Sequence, residues 1–466
     1  MKRLTRNFLS LATSEVVRKI LGFLSVAYLA RHLTLADFGL VSLGFTVLSY
    51  TINISSAGLN LFGIRQIASG ADAGFVGRLI SLRLILAAIV FVLTASLTAL
   101  ILHDALAVKV MIAFNCSLFA YAFMLEWLYQ GKEEMNTVSF GKSITAAVYL
   151  VLLFLLVRSD NDVLWVAVAA VAGDFVMMLF YVVKYRREGN EIRTVVDVAS
   201  WRSMTRESLP LGLGTILGQI SINLAPLVLA ILMTNVEVGL YSAASKLVVF
   251  LLLFDRVLGV LLLPASARLQ ASSPEQLSVR LGDALKWILI MALPICVGGM
   301  LVSNDIVRLV FGANFAVAGE LFRILIWFLC FTMIHTVFTS GLVAVAPSKV
   351  YGKVMTTSAI IYALAIVTLT KFYGLSGTVF GVVLSEGITL LIARASLRPY
   401  LRIRPTVALP WILVALAVMA VTVIDLQPYN LFVRVAVGAA VYSSVLLLTR
   451  VCSVNEVAAL VWRKSA

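Results

Sequence analysis

Histidine, cysteine and charge are all scarce in this chain, and each shortage excludes something. Three histidines, His32, His103 and His335, in 466 residues leave almost nothing from which to build a catalytic imidazole constellation. The four cysteines, Cys116, Cys296, Cys330 and Cys452, lack metal-ligand spacing. Three of them sit inside apolar runs, where cysteine behaves as a small hydrophobe, so neither a disulfide nor a metal centre is implied. A Walker A loop, an HExxH pair and a glycine-rich dinucleotide fingerprint are all missing, so ATP-driven work and metalloenzyme chemistry by this chain are not expected. Charged residues make up 13% of the chain against 61% hydrophobic, with a mean hydropathy of +1.02. A soluble globule of that composition would expose far more apolar surface than water tolerates.

What is present is a succession of apolar runs of about 20 residues, the length an α-helix needs to cross a hydrocarbon core of ~30 Å. The pattern predicts an all-α polytopic membrane protein with about fourteen spans: 8–30, 40–62, 79–102, 108–130, 139–157, 162–184, 208–232, 239–263, 284–303, 319–345, 350–370, 374–396, 408–425 and 431–449. The first run is full length and lacks a small-residue cleavage site, so no cleavable signal peptide is expected. The loops on the outer side run to roughly a dozen residues at most, too little for the acceptor-binding domain a membrane glycan polymerase or ligase usually carries.

The net charge of +14 is a topology signal and not a nucleic-acid footprint. Lys2, Arg3 and Arg6, then Lys184, Arg186, Arg187, Arg193, Arg202 and Arg206, then Arg394, Arg398, Arg402 and Arg404 all fall on one side of the predicted spans. The opposite loops hold Arg31, Lys109, Arg158, Arg308 and Lys371. Positive charge concentrates on the cytoplasmic side, which predicts a multi-pass membrane protein with both termini inside.

One motif occurs twice, 200 residues apart: LARHLTLADFGLVS from Leu29 to Ser42 and LAILMTNVEVGLYS from Leu229 to Ser242. A second match, VAGDFVMMLF at 171–180 against VLSEGITLLI at 383–392, places Asp174 and Glu386 at corresponding points. Like-oriented halves need an even number of helices each and usually hold their substrate between them. The predicted organisation is therefore an N-lobe over 1–184 (helices 1–6), a basic cytoplasmic linker over 185–207 and a C-lobe over 208–398 (helices 7–12). A tail over 399–466 carries two extra helices outside the duplication.

Charge at membrane depth costs at least ~2.5–3.5 kcal/mol and marks a cavity or a partner. Lys142, Arg323 and Arg434 lie near span ends, where snorkelling explains them, and Arg83 is similar. Arg18 and Lys19 lie about ten residues into the first span, and Glu15 on the same face neutralises one charge but not two. Ser42, Thr46, Ser49, Asn53, Ser56 and Asn60 form one continuous helical face, which suits either interhelical hydrogen bonds or a wet cavity offering hydroxyls and amides to a sugar. The 200-residue shift puts Lys246 opposite Thr46 and Arg256 opposite Ser56, so the matching face of span eight carries two cations. Arg18, Lys19, Lys246, Arg256 and Arg83 are the candidate anion ligands, and Ser49, Asn53, Ser56, Gln219 and Asn223 the candidate sugar ligands. Glu15, Asp174 and Glu386 are candidates for ion coupling, with proton and sodium both open. The deep acids Asp174, Glu386 and Glu126 serve equally well as partners for the cations, and His335 as a bundle hydrogen bonder. Pro226 removes a backbone hydrogen bond from span seven and is the candidate hinge.

The run RNFLSLATSEVVRKILGFLSVAYLARHLTLADFGLVSLGFTVLSY with GLNLFGIRQIA after it, VGLYSAASKL at 238–247 and VRLVFGANFAVAGELFRILIW at 307–327 resemble one known family. It is the polysaccharide-transporter (O-antigen flippase) branch of the multidrug/oligosaccharidyl-lipid/polysaccharide exporter superfamily, and the resemblance covers essentially the whole chain. It implies two six-helix lobes around a central cavity, without a cofactor, that flip an undecaprenyl-pyrophosphate-linked oligosaccharide from the cytoplasmic to the periplasmic leaflet. A glycan polymerase and chain-length proteins of the same pathway are the implied partners, beside the bilayer itself. Relatives often carry an acid in span seven where this chain has Ala225, which puts any coupling through that position in doubt. The rival functions are a peptidoglycan-precursor (lipid II) flippase, a multidrug cation antiporter and, from a different class, a membrane glycan polymerase or ligase. A drug-cation cavity should be lined by acids and aromatics and not by Lys and Arg.

Overall fold

The structure, a computed structural model, describes residues 2–71, 73–403 and 408–452. The side chains of Lys2, Arg3 and Arg6, and Arg404 as a whole, lie outside the described residues. The regular elements among the described residues are helical. They divide into two compact units, Met1–Ser242 and Ala243–Ala466. The first unit thus includes residues 208–232, the predicted span seven.

The first unit holds α1 (Lys2–His32), α2 (Leu35–Ser56), α3 (Leu59–Ala68), α4 (Ala73–Ile101), α5 (Ala105–Asn115), α6 (Ser117–Phe123), α7 (Glu126–Gly131), α8 (Met135–Leu156), α9 (Val163–Arg187) and α10 (Val198–Leu232). α11 (Asn235–Leu251) begins in it. The duplicated motif is the joint between α1 and α2 and, again, between α10 and α11, and each of its positions has a structural task. Leu29 and Leu229 are buried at the helix ends, and Leu40 and Leu240 inside the next helix. Thr34 is the N-cap of α2: its Oγ1 accepts from Asp37 N at 3.1 Å and donates to Asp37 Oδ2 at 2.6 Å. Thr234 repeats this before α11, donating its hydroxyl to Glu237, while its backbone N–H donates to Glu237 Oε2 at 3.0 Å. The Thr-x-x-acid spacing satisfies donors that a helix start leaves open and puts a negative charge at the positive end of the dipole.

α10 is held to α2 and α3 by close approach. Gly58, with φ +80°, leaves so little room that a Cβ there would meet the backbone of Ser208 and Gly212. The Tyr50 hydroxyl donates to Gln219 O at 3.5 Å. α10 runs through both Pro210 and Pro226 as one helix. The linker between α9 and α10 is also tied down: Trp201 Nε1 donates to Arg78 O at 3.2 Å, and Gly77 packs on the carbonyl of Arg193. The core of this unit gathers Leu59, Phe62, Phe75, Leu79, Trp127 and Tyr181.

The second unit continues with α12 (Leu253–Ser272), α13 (Pro274–Leu301), α14 (Ser303–Phe311), α15 (Ala316–Val345), α16 (Ser348–Leu397), α17 (Leu409–Asp425) and α18 (Leu431–Leu448). α16 is 50 residues long but is not one rod. At Gly374 the backbone leaves the helix (φ 60°, ψ −141°). Beyond it the chain doubles back: Gly377 packs on Leu369 O, Gly381 on Ala365 O, and the Thr370 and Thr378 hydroxyls are 2.8 Å apart. Two helical legs therefore form a hairpin whose turn is essentially one glycine, a residue that adopts positive φ without a Cβ clash. This matches the two spans predicted at 350–370 and 374–396. α17 and α18 pack on α13 through Ile412, Met419, Val423, Tyr442 and Leu446, and the Tyr442 hydroxyl donates to Ile290 O at 3.0 Å.

Ten stretches among the described residues are long and apolar enough to cross a membrane, against about fourteen predicted. They omit α1 and count the α16 hairpin once, while α10 contributes Asn223–Leu232 and α17 Leu409–Asp425 as shorter apolar helices. α4 presents Val92, Leu93, Leu97, Leu100 and Ile101 outward, as a lipid-facing helix does.

Candidate functional site

Arg18 and Glu15 are paired. Arg18 Nη2 lies 2.6 Å from Glu15 Oε1 and 2.8 Å from Oε2, and Nε donates to Oε2 at 3.2 Å. The pair is partly exposed on α1, with Lys19 half-buried beside it. Lys246 and Arg256 are exposed on α11 and α12.

The polar face of α2 divides by depth. Ser42, Thr46 and Ser56 are buried, whereas Ser49 and Asn53 are half-exposed. Asn60 is half-exposed too but sits on α3, past the left-handed residues Ala57 and Gly58 that end α2, so the six predicted positions do not share one continuous helical face. Several donors turn back on their own helix: Thr46 Oγ1 to Ser42 O at 2.9 Å, Asn53 Nδ2 to Ser49 O at 2.8 Å and Ser56 Oγ to Asn53 O at 3.1 Å. Hydroxyls bonded to a preceding carbonyl keep lone pairs available, so this face still offers acceptors. On α10, Asn223 Nδ2 donates to Gln219 Oε1 at 2.5 Å, so the two amides form one polar patch, next to the buried Pro226.

Arg83 is placed differently from a span-end snorkeler. It is 5% exposed on α4 and donates to two carbonyls, Tyr121 O at 2.5 Å and Met124 O at 3.2 Å. These carbonyls lie where α6 stops and α7 has yet to start. A broken helix at membrane depth must have its backbone groups satisfied, and the guanidinium does so. Arg434 also differs from the snorkelling expectation. It is 6% exposed and lies 2.5 Å from Asp305 Oδ2, across from α14. Lys142 reaches Glu126 Oε1 at 2.8 Å and Arg323 pairs with Glu320 at 3.2 Å.

Asp174 is buried on α9, close to the Tyr121 hydroxyl. Glu386, its repeat counterpart, is in the second leg of α16, with Oε1 3.1 Å from His335 Nδ1. That pairing joins residues 51 apart and leaves no trace in local spacing. Where the first unit meets the linker, Lys184 contacts Glu134 at 2.7 Å and Glu188 at 2.8 Å, and Lys132 reaches Glu188 at 3.1 Å. Burial pushes the Glu188 carboxyl up, but hydrogen bonds from Lys184 and Lys132 outweigh it and hold the group below its ordinary range.

A cavity of about 860 Å³ opens within the second unit, lined by α13, α17 and α18 with Trp287, Pro294, Gly298, Met419, Gly438 and Tyr442 among its walls. Its surface is overwhelmingly apolar. Among the described residues no cluster of His, Cys, Asp and Glu is arranged to hold a metal ion.

Known proteins share this architecture. A lipid II flippase in an inward closed conformation superimposes with a TM-score of 0.77 at 14% identity, covering 94% of this chain and 98% of that one. An inward-facing multidrug resistance transporter of the MATE family superimposes at 0.65 with 16% identity over 82% of this chain and 94% of that one. In sequence, a putative O-antigen transporter of Shigella dysenteriae is 22% identical over 402 residues, 83% of this chain and 98% of that protein. One from Escherichia coli K12 is 25% identical over 165 residues, 34% of this chain, and that match spans 40% of the E. coli protein. The model of the polysaccharide biosynthesis protein family matches residues 4–270. This multi-pass membrane protein therefore belongs to the polysaccharide biosynthesis protein family.

Proposed function

We propose that the protein is a flippase that carries an oligosaccharide linked to undecaprenyl pyrophosphate from the cytoplasmic to the periplasmic leaflet of a bacterial inner membrane. Family membership is the observation that carries this reading. The chemistry of the substrate agrees with the side chains present. A pyrophosphate is very costly to move through hydrocarbon unless fixed charges replace its water. Lys246 and Arg256, with Arg18 and Lys19, provide such charges by alternating access. The hydroxyls and amides of Ser49, Asn53, Ser56, Gln219 and Asn223 suit sugar. The apolar cavity beside α17 and α18 has room and chemistry for part of a polyprenyl chain. Both termini face the cytoplasm in this scheme, and the flipped glycan passes to a polymerase and chain-length proteins.

A lipid II flippase would use the same pyrophosphate and polyprenyl groups, and the shared fold keeps that second reading in view. The test is twofold. Lipid co-purified with the protein is identified by mass spectrometry, and vesicles containing the protein are assayed for transfer of that lipid between leaflets. A polyprenyl-pyrophosphate glycan in the first assay and protein-dependent transfer in the second support the reading. Formation of a glycosidic bond in the same vesicles would replace it with an enzyme, and a pentapeptide-bearing glycan would replace it with the lipid II reading.

A further inference from the structure

His335 carries a ring nitrogen with nothing to bond. Its Nδ1 is 3.1 Å from Glu386 Oε1, while Nε2 is sealed from solvent and has no hydrogen-bond partner. Buried polar atoms are nearly always satisfied, and an exception calls for an explanation. The surroundings provide one. The next residue, Thr336, donates its hydroxyl to Asp255 Oδ1 at 2.6 Å, so α12 brings a second carboxylate to the same region of α15. Asp255 lies within electrostatic reach of Glu386, His335 and Arg256. Two carboxylates, a guanidinium and an imidazole, from α12, α15 and the second leg of α16, therefore act on one another inside the second unit.

Formal charge decides what the group can bind. With His335 neutral and its Nδ1–H donated to Glu386, the pair carries one negative charge and Nε2 presents a bare lone pair. A proton added at Nε2 makes an imidazolium opposite the Glu386 carboxylate and brings the sum to zero. At membrane depth a neutral set is cheaper than a charged one, so the proton is welcome while the cluster is enclosed. It leaves when the cluster meets water. Sodium is a poorer fit, because a hard cation takes oxygen ligands and the vacant atom is nitrogen.

We propose that His335 and Glu386 form a proton-binding dyad, balanced by Asp255 and Arg256, which takes up one proton at His335 Nε2 during each transport cycle. The proposal rests on the flippase reading and names its coupling ion, from side chains other than the span-seven position that Ala225 occupies.

With three histidines in the chain, the ring can be observed directly. Full-length protein with nitrogen-15 histidine is placed in phosphatidylethanolamine and phosphatidylglycerol vesicles, and ring-nitrogen spectra are recorded across about pH 5 to 8, where imidazoles titrate. The resonance absent from His335→Gln assigns the residue. It is expected to gain a second ring proton in wild type and to stay singly protonated in Glu386→Gln, which lacks the counter-charge. A ring that does not titrate, or that titrates identically in Glu386→Gln, overturns the dyad.

The second arm measures transfer of the lipid-linked oligosaccharide fraction of the host membrane under imposed gradients. A pH gradient should accelerate wild type several-fold and leave His335→Gln and Glu386→Gln at their gradient-free rate. Acceleration by a sodium gradient alone, equal in all three proteins, overturns the coupling role while the flippase reading stands. If wild type moves no lipid-linked glycan under any gradient, the flippase reading fails, and the nitrogen spectra alone decide whether the dyad binds a proton.

Discussion

Gly39 and Gly239, equivalent positions of the internal repeat, each press against the start of the other's helix. A Cβ on Gly39 would meet the Asn235 carbonyl, and one on Gly239 would meet the Leu35 carbonyl and lie 3.2 Å from Gly39 N. The α2 and α11 starts thus cross backbone to backbone, which glycine alone permits. Gly39→Val and Gly239→Val should each cost about 1–3 kcal/mol, as overpacked contacts do, and lower the thermal midpoint in detergent. Gly214→Ala is the control: a Cβ there meets nothing within 4 Å, and it should raise the midpoint slightly by removing a helical glycine. Unchanged midpoints for both valine variants would mean that the crossing is loose.

The cations are tested by neutralising them. Lys246→Gln keeps bulk and removes charge, so glycan transfer should fall at least tenfold with little loss of stability. Arg18→Gln should also impair transfer, but it leaves Glu15 without its bidentate partner, so a lower thermal midpoint should accompany it. Lys142→Gln, which loses one partly exposed contact to Glu126, should change stability by less than about 1 kcal/mol and transfer hardly at all. Wild-type transfer by Lys246→Gln and Arg18→Gln together would end the cationic mechanism and leave the fold intact.

Acid should loosen the linker end of the first unit. The Glu188 carboxyl titrates below its ordinary 4.5 in the folded protein. A depressed carboxyl stabilises at pH above the unfolded value and loses that contribution as the pH falls through the lower folded one. Thermal midpoints of wild type and Glu188→Gln should therefore differ at neutral pH, and the gap should shrink as the pH falls below 4.5. A constant gap would show that the contacts with Lys184 and Lys132 do not depend on charge.

Orientation is open to labelling. Cysteines at Asp104, Ser159 and Gln427 should react with an impermeant reagent from the periplasm, and those at Glu188 and Lys349 should not. Reversed reactivity at two or more sites would invert the assigned topology.

Local and repeated features were legible from the sequence. The apolar runs announced the helices, and the 200-residue repeat announced a joint used twice, though not that its threonine caps a helix and its glycine admits a neighbouring backbone. The span-end arginines show the limit. Arg83 and Arg434 sit at positions compatible with snorkelling, yet one satisfies carbonyls 38 and 41 residues away and the other pairs across 129. Such partners are fixed by how helices pack, and one-dimensional spacing carries no record of it. The His335–Glu386 contact is hidden for the same reason. The position of α10 depends on close approach at Gly58 and Gly212, which composition alone assigns to neither half.

The hairpin at Gly374 also sets a ruler in the membrane. With no loop at its tip, Phe372 and Tyr373, each 71% exposed, stand directly at the end of the two legs beside Lys371. Aromatic and basic side chains of this kind settle at the boundary between acyl chains and headgroups. The hairpin cannot absorb a thicker bilayer by paying out chain at the turn, so the mismatch must be met by tilt or by deforming the lipid. Acyl-chain length should therefore tune this protein's activity even where the headgroup composition is held constant.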